Sequence, residues 1–352
     1  MKAIVWAAGL GTRLRPLTEH QPKAMMPVAN TPMLVHALHQ CRKAGITDIM
    51  INLHYFPDTI TSYLGDGSSL GVRLSYSYEE ELLENAGAVV KVKDFFDTQE
   101  PFVAFASDNL TDINLQAMLS QHKKTGALAT LATTKTDDVS KYGVVSCGQD
   151  GRIETFQEKP DPAEAKGDLV ATCVYVFSPE IFSHLPKTPE KKHFGKEVFP
   201  RLLAEKHAVY AYEHTGYWND IGNPNTYLMA NFDTLTQKAK LEISLTEVEP
   251  RLYRGEDVYI APSARIIPPV VIGDRVHIGD NCVIGPFAVI GRGVTIENNS
   301  QVERSLINDA CHLEEDCLLW ESILAKHCHV YKQNQVKNLV LGENSLINKT
   351  TL

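Results

Sequence analysis

The sequence has no uninterrupted apolar run of the about 18 to 20 residues that a helix needs to cross a bilayer. The apolar stretch after Met1 is short and ends in a glycine-rich turn, which indicates folded structure rather than a secretion signal. A basic excess is also lacking, because 43 acidic residues outnumber 34 lysines and arginines and give a net charge of −9. We therefore expect a soluble protein that binds neither membranes nor nucleic acid, since both partners need a basic face.

Cysteine is sparse and shows no pairing pattern. The seven cysteines include no Cys-x-x-Cys motif, and an odd number cannot all pair within one chain. They stand at positions 41, 147, 173, 282, 311, 317 and 328. Scattered thiols of this kind predict a reduced protein in the cytoplasm.

The length of 352 residues is too great for one small core and suggests two domains. The first, predicted over residues 1–234, alternates buried-strand runs with helical patterns. The strand-like runs lie at residues 3–7, 49–53, 72–78, 102–106 and 128–133. One helix is expected to begin with a cap at Thr31-Pro32 and to end at Gly45, and another to cover residues 115–124. This alternation predicts an α/β fold with a largely parallel sheet.

A different period governs the predicted second domain, residues 257–352, which follows a linker at residues 235–256. Apolar side chains recur at every sixth position, at Ile260, Ile266, Ile272, Ile278, Ile284, Ile290, Ile296 and Val302. This hexapeptide repeat predicts a three-sided solenoid in which a single column of stacked side chains carries the core. Farther along, the expected register loosens through Leu313, Leu319 and Ile323.

A glycine turn follows the first predicted strand, where residues 7–18 read Ala-Ala-Gly-Leu-Gly-Thr-Arg-Leu-Arg-Pro-Leu-Thr. The backbone of such a turn can approach a ligand closely, and its free amides can hold phosphate oxygens. The third glycine of Gly-x-Gly-x-x-Gly is missing, since Leu14 stands there, and the Gly-Lys-Ser/Thr ending of a P-loop is missing too. Neither of these common nucleotide-binding motifs therefore applies.

The whole turn, followed by Pro22-Lys23, resembles the signature of the sugar nucleotidyltransferases, among them the mannose-1-phosphate guanylyltransferases. Glucose-1-phosphate thymidylyltransferases and ADP-glucose pyrophosphorylases belong to the same group. The resemblance implies a doubly wound, Rossmann-like mixed sheet that is mainly parallel, followed by a short left-handed parallel β-helix. It also implies a reaction in which a nucleoside triphosphate and a sugar 1-phosphate give a nucleotide sugar and pyrophosphate, with Mg²⁺ as the cofactor.

The same resemblance assigns roles to residues around the triphosphate. Ala8, Gly9, Gly11 and Thr12 would wrap the phosphates, and the catalytic cations would be Arg13 beside the departing phosphates and Lys23 near the α-phosphate. Fixed positive groups suit this position, because displacement at phosphorus spreads negative charge in the transition state.

Two aspartates stand in contexts that resemble the metal-binding segments of the family. Asp108 follows the predicted strand 102–106, and Asp220 lies in the segment Gly-Tyr-Trp-Asn-Asp-Ile-Gly at residues 216–222. Two carboxylates beside strand ends can converge on one Mg²⁺ that also contacts triphosphate oxygens. We therefore expect both side chains to face the glycine turn.

The remaining predicted contacts concern the sugar and the base. By resemblance, the sugar-phosphate site contains Gly143, Glu158, Lys159 and Thr172, and the base pocket contains Glu84, Ala86 and Gly87. A carboxylate that accepts hydrogen bonds beside a fixed cation suits a polyhydroxylated anion. A sugar phosphate is already mostly dianionic near neutral pH, so no general base is expected.

Three departures from the family pattern affect the finer assignment. Residues 84–87 read Glu-Asn-Ala-Gly instead of Gly-Thr-Ala-Gly, Ser107 replaces a glycine, and residues 171–173 read Ala-Thr-Cys instead of Asn-Ala-Gly. Glu84 could accept hydrogen bonds from the N1 and N2 donors of guanine. Together with residues 52–55, which resemble mannose-1-phosphate guanylyltransferases, this favours GTP and mannose 1-phosphate. Pairs with dTTP, UTP or ATP stay open.

Two functions of other classes stay open as well. The departures would also suit a non-catalytic, regulatory paralogue that binds a nucleotide sugar. Acyl transfer by the solenoid would need a histidine base, for which His277, His312, His327 and His329 are candidates. The solenoid is expected instead to support a homo-oligomer or to pack on the catalytic domain.

Overall fold

The computed structural model describes residues 1–96 and 99–348, so residues 349–352 of the predicted second domain lie outside the described residues. The strands of the first 220 residues are β1 (Lys2–Trp6), β2 (Pro27–Val28), β3 (Thr31–Pro32), β4 (Asp48–Leu53), β5 (Arg73–Tyr78), β6 (Phe102–Ala106), β7 (Asn109–Thr111), β8 (Ala129–Lys135), β9 (Gly143–Cys147), β10 (Ile153–Glu158), β11 (Leu169–Phe177), β12 (Val209–Glu213) and β13 (Trp218–Asp220). The helices are α1 (Met33–Lys43), α2 (Pro57–Leu64), α3 (Glu84–Lys91), α4 (Leu115–Thr125), α5 (Phe199–Ala204) and α6 (Pro224–Leu235).

The chain forms two compact units, one of residues 1–9 and 34–220 and the other of residues 10–33 and 221–352. The first contains a mixed sheet in the order β10-β9-β11-β6-β1-β4-β5, with β8 beside β11 and β12 beside β8. Strands β1, β4, β5 and β6 are parallel neighbours. Strand β11 is antiparallel to β6, β8 and β9, so β8, β9 and β12 share the direction of β1. The predicted α/β fold with a mixed, mainly parallel sheet is confirmed.

The second unit contains the solenoid, whose strands are β14 (Thr246–Glu249), β15 (Leu252–Arg254), β16 (Tyr259–Ile260), β17 (Arg265–Ile266), β18 (Val270–Ile272), β19 (His277–Ile278), β20 (Val283–Ile284), β21 (Ala288–Ile290), β22 (Thr295–Ile296), β23 (Gln301–Glu303), β24 (Leu306–Ile307), β25 (His312–Leu313), β26 (Leu318–Trp320), β27 (Ile323–Leu324), β28 (His329–Val330), β29 (Gln335–Lys337), β30 (Val340–Leu341) and β31 (Leu346–Ile347). Their parallel ladders form three sides, which confirms the predicted left-handed parallel β-helix. Helix α6 ends at Leu235, and the predicted limits of the domains and the linker stay a prediction.

The prediction that a single column carries the solenoid core is wrong. Ile260 pairs with Ile278, and Ile272 pairs with Ile290, so equivalent side chains are a full coil of 18 residues apart. Residues six positions apart lie on different sides of a coil, and the core therefore has three columns. The buried side chains of all three sides form one continuous apolar cluster.

The register changes after Val302 because each later coil contains 17 residues instead of 18. Ile290 pairs with Ile307, and Ile307 pairs with Leu324, so the core side chain is Leu324 and not the expected Ile323. One corner has lost a residue, and a buried serine, Ser305, closes it by donating its hydroxyl to the carbonyl of Glu303. The hexapeptide spacing fails once per coil, while the fold continues.

The segment at Thr31-Pro32 does not cap helix α1 as expected. These two residues form β3, which pairs with β2 in a hairpin, and the helix begins at Met33. The hairpin loop is Ala29-Asn30, and both residues have positive φ angles, 48° and 61°. Positive φ at both loop positions is the requirement of a type I′ turn, which the sequence Ala-Asn signals only weakly. The expected glycine stop is confirmed, since Gly45 has φ 77°.

The β2–β3 hairpin is attached to the solenoid within the second unit. The side chain of Asn30 donates to the carbonyl of Ile290 at 2.7 Å, and the amide of Ala29 donates to the side chain of Asn231 in α6 at 2.8 Å. Asn231 is fully buried, so its hydrogen bond to Ala29 is shielded from water. The segment that contains Arg13 therefore leads into a hairpin that the β-helix holds.

None of the described helices is long and apolar enough to span a membrane. All seven cysteines are free, as the sequence predicts, and five of them are buried. The solenoid histidines His312 and His329 lie 2.7 and 2.9 Å from the carboxylates of Glu297 and Glu314.

We predict that a buried histidine weakens the fold in acid. His122 in α4 is 1% exposed and hydrogen-bonds Thr130 and Ser178, and burial lowers its pKa to about 4. Between pH 6.5 and 4 the histidine is protonated in the unfolded chain but not in the native state, which favours unfolding. The contribution of His122 to the free energy of unfolding is therefore complete above pH 6.5 and is lost as the pH falls to 4. The loss should be about 3 kcal/mol.

The measurement is the free energy of urea unfolding between pH 6.5 and 4.5 for the wild type and His122→Gln. The variant should show a clearly shallower decline, whereas substitution of the exposed His20 by Gln should change nothing. Identical pH dependence in the wild type and His122→Gln would contradict the assignment.

Candidate active site

The carboxyl ends of β1 and β6 lie side by side in the first unit. Trp6 is in register with Ala106, and both the amide and the hydroxyl of Ser107 donate to the carbonyl of Trp6, at 3.1 and 2.7 Å. Ala8 and Gly9 therefore leave the sheet at the same edge as Asp108. This edge, beyond the carboxyl ends of parallel strands, is where open α/β sheets bind ligands.

Strand pairing brings the two predicted metal ligands together. Strand β13 runs antiparallel to β7, which places Asp220 directly opposite Asn109, the residue after Asp108. The turn before β13 is fixed by Asp112, whose carboxylate accepts a hydrogen bond from the amide of Tyr217 at 2.8 Å. Gly216 is required there, because a Cβ atom would lie 2.3 Å from that carboxylate.

Both aspartates lie close to the thiol of Cys173. Burial, together with the nearby carboxylates of Asp108, Asp220 and Glu158, raises the pKa of Cys173 to about 12. The thiol therefore stays protonated near neutral pH and adds no negative charge to the site. Cys173 has φ 56°, a left-handed conformation that favours glycine, and the resembling family has glycine at this position.

The predicted sugar residues also come together. Glu158 at the end of β10 is directly opposite Gly143 at the start of β9. A Cβ atom on Gly143 would lie 2.3 Å from the ring of Phe156, so packing alone already requires glycine at this position. The next residue, Lys159, is exposed and donates its amide to Tyr142, with φ 49°.

Thr172 lies in the same strand as Cys173, and its side chain is buried. It is 2% exposed, and its hydroxyl donates to the carbonyl of Ala132 at 3.1 Å. The hydroxyl is therefore already used for structure. A role of Thr172 in sugar-phosphate binding stays a prediction.

The predicted base-pocket residues form the first turn of α3. Glu84 begins the helix with φ 59°, and the amides of Ala86 and Gly87 donate to the carbonyl of Lys192 at 3.0 and 3.2 Å. A Cβ atom on Gly87 would lie 2.1 Å from the carbonyl oxygen of Glu190. Close contact with the 190–192 segment therefore explains why glycine is needed.

Sequence reasoning missed a histidine between the base and sugar residues. Burial lowers the pKa of His193, and the nearby carboxylates of Glu158 and Glu84 oppose this shift only in part. Its Nδ1 atom accepts hydrogen bonds from the amides of Gly195 and Lys196, at 3.0 and 3.2 Å. In the neutral ring the proton therefore sits on Nε2, which can donate to a ligand. No sequence pattern marked this residue, because its neighbours are distant in the chain.

A buried hydrogen-bond relay connects the glycine turn with α3. The amide of Ala7 donates to Asn52 at 2.9 Å, and the side-chain amide of Asn52 donates to Glu79 at 2.8 Å. The other oxygen of Glu79 accepts from the amide of Leu83 at 3.0 Å. Glu79 is 1% exposed, so these bonds are protected from water. The relay positions the start of the turn and the residue before Glu84.

The other residues of the glycine turn belong to the second unit. Gly11 has φ 63°, and a Cβ atom there would lie 2.9 Å from Cβ of Lys23, so the turn requires glycine. Lys23 is 8% exposed, whereas Thr12 and Arg13 are exposed. The guanidinium of Arg13 lies against Gly222, where an added Cβ would approach it to 3.1 Å. Arg13 and Lys23 are thus held close to glycines of their own unit.

The start of the glycine turn and the two aspartates lie at the carboxyl edge of a mainly parallel α/β sheet, which is the ligand-binding edge of this class of fold. Residues 2–237 match the nucleotidyl transferase family, so the chain belongs to that family and is an enzyme of the nucleotidyltransferase type. Residues 249–352 match the EIF2B subunit epsilon LbH domain, in agreement with the left-handed β-helix.

Several known proteins are similar to this chain. A UTP–glucose-1-phosphate uridylyltransferase of Synechocystis is 35% identical, over 73% of this chain and 70% of its own length. A protein of Oryza sativa assigned as a mannose-1-phosphate guanylyltransferase is 30% identical, over 98% and 91%. A Bacillus anthracis structure assigned as a glucose-1-phosphate thymidylyltransferase, in complex with sucrose, has 24% identity and a TM-score of 0.61 and covers 71% of this chain and 98% of its own. It supports the fold alone.

We predict that Glu79→Ala destabilises the first unit by about 3 kcal/mol, because it leaves the buried side-chain amide of Asn52 and the half-buried backbone amide of Leu83 without partners. The measurement is urea unfolding followed by circular dichroism. The neighbouring Glu80 is exposed, and Glu80→Ala should cost no more than about 0.5 kcal/mol. Equal effects of the two substitutions would show that the relay contributes nothing.

Proposed function

We propose that the chain joins a nucleoside triphosphate to a sugar 1-phosphate and releases pyrophosphate, with GTP and mannose 1-phosphate as the preferred pair. The observation that carries this proposal is the β7–β13 pairing, which brings Asp108 and Asp220 together at the ligand-binding edge of a nucleotidyltransferase sheet. Relatives that act on sugar 1-phosphates support the acceptor.

The choice of GTP rests on relatives and on one side chain. The guanylyltransferase of Oryza sativa is similar over nearly the whole chain, and a mannose-1-phosphate guanyltransferase of Debaryomyces hansenii is 33% identical over 76% of it. Glu84 opens α3 beside the amides of Ala86 and Gly87. A carboxylate there can accept hydrogen bonds from guanine N1 and N2, which uracil and adenine do not offer in the same arrangement.

The donor set of the carboxylate pair fits Mg²⁺. The two aspartates offer hard oxygen ligands, Asp108 just before β7 and Asp220 at the end of the paired strand β13, and the neighbouring Cys173 thiol is protonated and does not compete. Mg²⁺ usually takes one or two protein carboxylates and completes its shell with water and substrate phosphates. When bound, the ion would neutralise charge on the triphosphate. Asp108 and Asp220 are the residues that we propose to hold it.

The rest of the chemistry is alignment and charge neutralisation. The oxygen of the sugar phosphate attacks the α-phosphorus, the bond to the leaving pyrophosphate breaks, and no proton has to be removed from the nucleophile. We assign Arg13 and Lys23 to the negative charge on the phosphates. Glu158 would accept hydrogen bonds from sugar hydroxyls, and Lys159 would hold the sugar phosphate. The Nε2–H group of His193 would donate a hydrogen bond to the bound ligand.

Other substrate pairs belong to the same proposal as alternatives, because a relative named for UTP and glucose 1-phosphate has a similar sequence identity, 35%. Glu84 and Cys173 have left-handed backbone conformations at positions where the resembling family has glycine. These departures would also be compatible with a regulatory, non-catalytic protein. The homo-oligomer and the cytoplasmic location expected from the sequence stay predictions.

We predict pyrophosphate release with Mg²⁺ and a nucleoside triphosphate plus a sugar 1-phosphate, fastest with GTP and mannose 1-phosphate. Asp108→Asn and Asp220→Asn should each lower kcat by at least about 100-fold, since each removes a charged oxygen ligand of the metal. Asp137→Asn, at an exposed position, is the control and should keep full activity. Wild-type rates in both site variants would reject the metal assignment, and product binding without turnover for any pair would favour the regulatory alternative.

We predict that Glu84→Gln lowers kcat/KM for GTP about 10-fold relative to the other triphosphates, because one charge-assisted acceptor for guanine is lost. Steady-state kinetics with all four triphosphates measures the ratio. The exposed Glu81, changed to Gln, provides a matched control. An unchanged preference in Glu84→Gln would place this carboxylate outside the base pocket.

A further inference from the structure

Three ligand-type side chains that have no role in the proposed reaction lie together in the first unit. His184 ends a short 3-10 helix, Pro179–His184, and Glu205 and His207 follow the end of α5. Nε2 of His207 lies 3.2 Å from the carboxylate of Glu205, and Nδ1 of His184 lies 3.9 Å from the same oxygen. Within residues 1–96 and 99–348, this is the one set of three such groups whose ligand atoms all lie within 4.8 Å of one another.

The backbone that carries Glu205 and His207 is fixed. The amides of Lys206 and His207 donate to the carbonyls of Leu203 and Leu202, at 3.0 and 2.9 Å, which closes the end of α5. The guanidinium of Arg152 then donates to the carbonyls of Lys206 and His207. Both ligands therefore project from a turn that is ordered before any ion binds.

The third residue is anchored independently. The guanidinium of Arg201 in α5 donates to the carbonyl of His184. The rings of His184 and His207 meet edge to face, with centroids 4.2 Å apart. The rings of both histidines therefore lie beside the Glu205 carboxylate.

We propose that His184, Glu205 and His207 form a binding site for a divalent transition metal ion such as Zn²⁺, with water as the fourth ligand. Two imidazoles and one carboxylate are a known ligand set for tetrahedral Zn²⁺. Metal bonds of about 2.0 to 2.1 Å place the ligand atoms of a tetrahedron about 3.4 Å apart. The His207–Glu205 separation of 3.2 Å already matches this distance, and the 3.9 Å separation from His184 requires only a small side-chain rotation.

The site is separate from the proposed Mg²⁺ ligands. Glu205 and His207 lie just before the amino end of β12, which runs in the direction of β6, and His184 follows the carboxyl end of the antiparallel β11. All three residues are therefore at the opposite edge of the sheet from Asp108. His184 and Glu205 also border an open pocket of about 350 Å³, where the charge of Lys192 is balanced by Glu197 at 3.1 Å. Water and a small anion have room to complete the coordination.

The test is titration of the chelator-treated, full-length protein with Zn²⁺ in the absence of nucleotide, followed by calorimetry, and with Co²⁺, followed by absorption spectroscopy. We expect one saturable site, with the visible bands of four-coordinate Co²⁺ and without the near-ultraviolet bands of a thiolate ligand. His207→Ala and Glu205→Gln should each weaken binding by about 10- to 100-fold or more. Zn²⁺ should also raise the melting temperature of the wild type but not that of His207→Ala.

Two matched controls separate this site from general metal binding. Ser183→Ala alters the same pocket without removing a ligand, and His329→Ala removes a histidine that pairs with Glu314 and contacts the ring of His312. Both variants should bind Zn²⁺ like the wild type. Absence of saturable binding, unchanged affinity in His207→Ala, or thiolate bands with Co²⁺ would each overturn the proposal. Because binding is measured without substrates, none of these results bears on the pyrophosphate assay.

Discussion

The candidate active site depends on a short antiparallel pairing between β7 and β13. Asp108 and Asp220 are far apart in the chain, and only this ladder, with Asp220 opposite Asn109, brings them to one edge of the sheet. The pairing is itself held by Asp112, which fixes the turn before β13 and excludes any side chain at Gly216. The proposed metal site of two carboxylates thus depends on the backbone hydrogen bonds of one short ladder and on the turn that Asp112 fixes.

Two residues of the candidate site have strained backbone conformations. Glu84 and Cys173 both have positive φ angles, where a residue other than glycine costs about 1 to 2 kcal/mol, and both stand where the resembling family has glycine. Such strain persists when the surrounding structure enforces it, and it is common at ligand sites. The amides of Ala86 and Gly87 hold the α3 turn on Lys192, and this anchoring keeps Glu84 in place. The fold therefore accommodates side chains at two positions where the resembling family has glycine.

The sequence predicted what depends on local patterns. Strand 102–106 was expected at its observed limits, and the glycine turn and Asp108 were placed correctly after strands. Long-range and one-residue effects are not predicted: the one-residue shortening at the Ser305 corner that leaves 17 residues in each later coil, and the position of His193 within electrostatic reach of the Glu84 and Glu158 carboxylates. Periodicity reports which face a residue occupies, but it does not report which distant segments become neighbours. The proposed transition-metal site is not predicted either, for the same reason.

The most direct test of the central claim is a crystal structure with Mn²⁺ in place of Mg²⁺ and a bound nucleotide sugar, with the ion located by its anomalous scattering. The account predicts an anomalous peak bonded to carboxylate oxygens of both Asp108 and Asp220 and to phosphate oxygens of the ligand. A nucleotide sugar whose metal ion contacts neither aspartate would contradict it.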